Sequence, residues 1–189
     1  MAVIDTVTWP VPAVEAMVIP DPYEFEEREP HCNGTNLLWF GHHVNRSGLE
    51  RIMPDIKGYP LRVVSNFDGA IPWSVGTMVK EFKRADIVII PETAKYKSNN
   101  RALEAIRQGC FVVAEPHPSL NDLPGIWVGN IKEGIEWTRR NLQEANERTK
   151  MAQKYVRDAY SHQTLALAWK TAIQRPTTSE VAVKNGTDG

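Results

Sequence analysis

Asp86-Ile87-Val88-Ile89-Ile90-Pro91, then Lys97-Ser98-Asn99-Asn100-Arg101-Ala102-Leu103-Glu104-Ala105-Ile106, then Phe111-Val112-Val113-Ala114 are the residues that decide the fold. An apolar run of strand length stops at a proline. A helix then opens on hydroxyl, amide and basic groups, and a second apolar run follows Gly109. That order predicts two parallel strands joined by a right-handed crossover. It also puts the polar helix start at the carboxyl edge of the sheet, where open α/β sheets bind ligands. Unpaired N–H groups and the helix dipole favour an anion there; Lys97 and Arg101 add positive charge, and Glu104, one turn on, is placed to accept from sugar hydroxyls. The plainer reading is a helix capped by Ser98 or Asn99 with solvated Lys and Arg side chains.

Working outward, Asn36 to Phe40 reads as a buried strand between Gly34 and Gly41, and Leu61 to Ser65 as a second. Leu49 to Ile56 predicts a short helix interrupted near Pro54, and Val75, Met78, Val79 and Phe82 form a helical stripe over Ser74 to Arg84. Gly125 to Val128 supplies a last short strand. Helices are expected over Ile131 to Arg140, and over Leu142 to Tyr160 with Ala145, Met151, Ala152, Tyr155 and Val156 inward. Val14 to Ile19 offers a further short strand inside a proline-rich, acidic start. Strands alternating with helices at this spacing give a doubly wound, three-layer α/β domain with a parallel sheet.

The 189 residues, 42% hydrophobic and 24% charged, are enough for one domain with a core of ordinary size. A net charge of -1 offers no electrostatic case for nucleic acid or a membrane surface. Met1 to Pro12 lacks the basic-then-apolar plan of a signal peptide, and Cys32 and Cys110 read as reduced thiols, so a cytoplasmic location is expected. The pair His42-His43 raises the question of a metal. Neighbours at a strand end point apart, however, and no cysteine or carboxylate cluster completes a tetrahedral set, so no metal site is expected.

The order strand, Pro91, loop, Lys97-Ser98-x-Asn100-Arg101-x-x-Glu104-Ala105, Gly109 and Val112-Val113-Ala114 resembles the nucleotide-sugar-binding, carboxyl-terminal half of GT-B glycosyltransferases, particularly those related to the retaining family GT4. The resemblance runs from about Val18 to Ile173 and is most specific at Ala85 to Pro91 and Lys97 to Ala114. It implies a Rossmann-like domain that binds a nucleotide diphosphate sugar as donor substrate, without a further cofactor. Gly41, His42, Arg46, Lys97, Ser98, Asn99, Asn100 and Arg101 would then serve the phosphates; Glu104 would hold the ribose, and Trp73 and Ile71 the base. Trp73 reads equally as an anchor for the following helix. His117, between Pro116 and Pro118, and Glu92 lie at the same edge, either lining the cleft or forming solvated turns.

The sequence also departs from the family pattern. His42 and Ser47 stand where the loop after the first strand normally carries Arg and Lys, and Tyr96 stands eight residues before Glu104 where a second glutamate is usual. A non-catalytic binding module and a nucleotide-sugar epimerase-like protein are therefore alternative readings. Only the donor half is expected: a linker or remnant over 1–30, the domain over 31–174 and a disordered tail over 175–189. The last helix, Thr164 to Ile173 with Leu165, Leu167, Trp169 and Ile173, would then need cover from a homodimer partner or a separate acceptor domain.

Overall fold

The computed structural model describes residues 2–3, 17–92 and 98–174. Six parallel strands form the main sheet: β3 (Leu37–Phe40), β4 (Leu61–Ser65), β5 (Ile71–Pro72), β6 (Ile87–Ile90), β7 (Phe111–Ala114) and β8 (Trp127–Val128), in the order β5-β4-β3-β6-β7-β8. Two further two-residue strands, β1 (Ala2–Val3) and β2 (Met17–Val18), pair in parallel apart from it. The main-sheet order reverses direction between β3 and β6. Such a reversal opens a crevice beyond the carboxyl ends of the two strands.

The strands are near-continuous apolar runs because both faces of the sheet are covered. Leu38, Phe40, Val88, Ile90, Val112 and Ala114 face one side, joined there by Met78 and Phe82 of α2 (Val75–Phe82), Leu103 and Ile106 of α3 (Asn100–Arg107) and Val156 of α5 (Leu142–Ala159). Leu37, Trp39, Ile87, Ile89, Phe111 and Val113 face the other, against Leu49 and Ile52 of α1 (Arg46–Ile52) and Ile131 and Ile135 of α4 (Ile131–Arg140). This alternation is the two-residue period of a pleated strand. The chain ends in α6 (His162–Gln174).

Buried Asp86 sets the entry to the sheet. Its carboxylate accepts from the backbone N–H of Asn33 and Thr35 at 3.2 Å each and of Asn36 at 2.7 Å, which fixes the turn into β3 beside β6. Residues 19–30, expected as part of a linker, instead run as a strap across α3 and α5. Ile19 is buried, the Arg107 guanidinium lies 4.1 Å from the centre of the Tyr23 ring and pairs with Glu27, and Gln153 donates to the Arg28 carbonyl at 2.6 Å.

Two further expectations change, and one strand is added. The first helix starts on the loop after β3, at Arg46, and ends at Ile52 before Pro54. Ile71–Pro72 is a strand, too short for a periodic signal, and its proline is accommodated because β5 is the sheet edge. Met151, expected inward on α5, is half-exposed, whereas Ala145, Ala152 and Val156 are buried as expected.

Candidate nucleotide cleft

A cleft of about 450 Å³ opens at the reversal of strand order. Phe40, Gly41, His42 and Asn45 line it from the end of β3 and the following turn, Asn66 and Trp73 from the ends of β4 and β5, and Ser98, Arg101 and Glu104 from α3 and its approach. The β3 turn is held from the neighbouring strand, where the Ser65 hydroxyl donates to the Gly41 carbonyl at 2.6 Å. Gly41 is closely flanked: a Cβ there would lie 3.3 Å from the Trp39 ring and 3.4 Å from Arg101 Nη1, so these side chains would have to give by a few tenths of an ångström.

Arg101 crosses the switch point, its Nη1 donating to the Phe40 carbonyl at 3.3 Å. Burial lowers its pKa to about 10 against the opposing pull of Glu104, so it remains a cation at neutral pH with further guanidinium N–H groups beside the cleft. Burial, and then the Glu24 carboxylate, raise the Glu104 carboxyl to about 7, while Arg101 draws it down. The cleft thus holds a fixed cation and, one helical turn away, a carboxyl that titrates near neutrality.

Because folding raises the Glu104 pKa, ionisation of this group opposes folding. Its contribution is fully present below about 4.5, the unperturbed value, and is lost as pH rises through about 7. Denaturant titration from pH 5 to pH 8 is therefore expected to cost the native chain about 1–2 kcal/mol more than Glu104→Gln, less than full linkage would give because the cleft is open to water. Parallel pH curves for the two proteins would contradict the assignment.

The remaining candidates are dispersed. Arg46 lies on α1, where its Nε donates to Glu50 at 2.7 Å and its guanidinium sits 4.9 Å from the centre of the Phe67 ring. Asn99 and Asn100 turn away from the cleft to donate to the Tyr160 hydroxyl at 2.8 Å and to Asp21 at 2.9 Å. Asn99 precedes α3 without a side-chain capping bond. Ile71 packs partly buried against the core. Trp73 is 57% exposed, which sets aside the core-anchor reading; the cap of α2 is Ser74, whose hydroxyl accepts from Thr77 N–H at 3.0 Å. Lys97 and Tyr96 lie outside the described residues.

His117 is buried beside Ser98 and Arg101 in a water-sized recess of about 10 Å³, its Nδ1 accepting from Ser119 N–H at 3.2 Å. Glu92 is exposed, and its N–H donates to Glu115 at 2.6 Å, a carboxylate that Arg51 of α1 also holds. Asn45 and Asn66 were not anticipated from the sequence. Asn66 directly follows β4, which could have pointed to it, whereas Asn45 ends the 3-10 turn five residues beyond β3. Among the described residues no group of three His, Cys, Asp or Glu side chains is placed to hold a metal, and both cysteines are free and buried.

A search of solved structures aligns this architecture with TarM, a glycosyltransferase of the GT-B type, at a TM-score of 0.64 and 12% identity over 87% of the chain. The fold is GT-B-like. The chain spans 40% of the length of TarM, as one Rossmann-like half would. No protein-family model matches the sequence, and no curated protein does. No helix among the described residues is long and apolar enough to cross a membrane.

Proposed function

We propose that this chain is the donor-binding half of a GT4-like glycosyltransferase and takes a nucleotide diphosphate sugar into the cleft between β3 and β6. The observation that carries the reading is the placement of Arg101 and Glu104 one turn apart on α3, both lining the cleft at the switch point. Arg101 supplies a fixed positive charge for the diphosphate, Ser98 and the start of α3 supply N–H and hydroxyl donors, and Glu104 meets the ribose hydroxyls. Exposed Trp73 offers a ring face to the base.

Transfer also needs an acceptor held against the donor. Positioning of that kind accounts for about 7–11 kcal/mol of a barrier, so a second domain or chain belongs to the complete reaction. On α6, Leu165 is buried while Leu167 and Ile173 are 66% and 76% exposed, leaving apolar surface for such a partner or for a second copy. Light scattering is expected to show a dimer for the chain and a monomer for a version ending at Tyr160; the same mass for both would remove α6 from association.

A non-catalytic binding module is the second reading. It is favoured by His42 at the position where the resemblance expects an arginine, and by the engagement of Arg46 with Glu50. Calorimetry with UDP, GDP and ADP, alone and as sugar conjugates, tests the shared claim of binding, and no heat from any of them would remove it. Release of free sugar from the bound donor then favours the transferase, and binding without turnover favours the module.

A further inference from the structure

Asn66, the first residue beyond β4, has its side-chain amide fixed from two sides by one residue. Its Oδ1 accepts from the backbone N–H of His43 at 2.8 Å, while its Nδ2 lies 3.1 Å from His43 Nδ1. A backbone N–H can only donate. The amide oxygen must therefore face it, Nδ2 must donate to the ring, and His43 carries its own proton on Nε2. The His43 ring is in turn packed on His42, with centroids 3.9 Å apart, which limits its freedom to release the amide.

One Nδ2 hydrogen is left over. Asn66 lines the cleft, and with Oδ1 turned to the His43 backbone N–H the group it offers a ligand is this Nδ2 hydrogen. Trp73 stands at the same corner of the sheet, because its backbone N–H donates to the Ser65 carbonyl at 3.3 Å, and its half-exposed ring opens onto the cleft. Arg101 sits across the Gly41 turn, on the β6 side. A nucleotide spanning the cleft with its phosphates at Arg101 therefore brings its base to Trp73 and Asn66.

We propose that Asn66 reads the base edge as an orientation-locked donor, so that the cleft prefers bases with an exocyclic oxygen to those with an exocyclic amine. The inference rests on the nucleotide reading above. A donor facing a carbonyl makes a hydrogen bond, whereas facing an amine it leaves two donors opposed. His43 is the positioning residue, since without its ring and the packing on His42 the amide is free to turn and present its oxygen.

The test is calorimetry on the full chain with two matched pairs, UDP against CDP and IDP against ADP. Each pair differs at the exocyclic group and its adjacent ring nitrogen. The expected result is a preference of roughly 5–10-fold for UDP and IDP, lost in Asn66→Ala and relaxed in His43→Ala, which keeps the asparagine. Both side chains are exposed, and circular dichroism of each variant controls for folding. Equal affinities within each pair, preference for CDP and ADP, or a preference unchanged in both variants would overturn the inference and leave nucleotide binding standing. No binding by any of the four would remove the nucleotide reading and the inference with it.

Discussion

Arg101→Ala is expected to weaken a nucleoside diphosphate by roughly 10–100-fold and the matching nucleoside by no more than about 3-fold, because only the former presents charge to the guanidinium. The guanidinium is held at the switch point by the Phe40 carbonyl and kept close by the bare Cα of Gly41, so its position is set before a ligand arrives. Burial has already lowered its pKa, so the cation is only partly compensated by Glu104 and gains from an anion. Arg101→Lys is expected to recover only part of the affinity, since a single ammonium cannot reproduce the planar fork. Calorimetry of UDP and uridine on the three proteins measures this. Equal losses for nucleotide and nucleoside in Arg101→Ala would move the phosphates elsewhere.

Gly109→Ala carries the largest expected effect on stability, about 2–4 kcal/mol, read as a lower midpoint in denaturant. Gly109 ends the turn after α3 at φ 78°, a left-handed conformation, and an added Cβ would lie 2.3 Å from the Glu29 carbonyl oxygen. Both the backbone strain and the clash fall where the 19–30 strap crosses from α3 to the sheet. The strap is expected to loosen first, exposing residues 19–30 to protease while the sheet persists. An unchanged midpoint would mean that the strap contributes little to the domain.

The fold was legible because its signals are local. Ile87–Ile90 and Phe111–Ala114 are runs that only a sheet covered on both faces can bury, and the helix opening between them fixes the crossover. The bounds of Leu61–Ser65 and Ile131–Arg140 were readable from their sequence alone. The destinations of side chains were less so. Asn99 and Asn100 read as cleft donors because they open a helix, yet Tyr160 and Asp21, 61 and 79 residues away, take their amides. Arg46 is drawn aside by Glu50, one turn along its own helix, and by Phe67 beyond β4. Arg101 and Glu104 differ in that their spacing on α3 puts both at the crevice whatever the distant chain does. Asn66 opens a stretch, Asn66-Phe67-Asp68-Gly69, that carries no strand or helix pattern, and its contact with His43 exists once β4 lies beside β3. The strap was hidden for a similar reason: proline and acid suggest a linker until Arg107, Arg157 and Gln153 are brought together to receive it.

The central claim is that a nucleoside diphosphate occupies the cleft between β3 and β6, and amide and indole NMR shifts during titration with UDP test it most directly. The account predicts saturable shifts at Gly41, His42, Asn66, Ser98 and Arg101 and at the Trp73 indole, with α6 unmoved. Spectra unchanged at millimolar UDP, or shifts confined to residues away from this cleft, would contradict it.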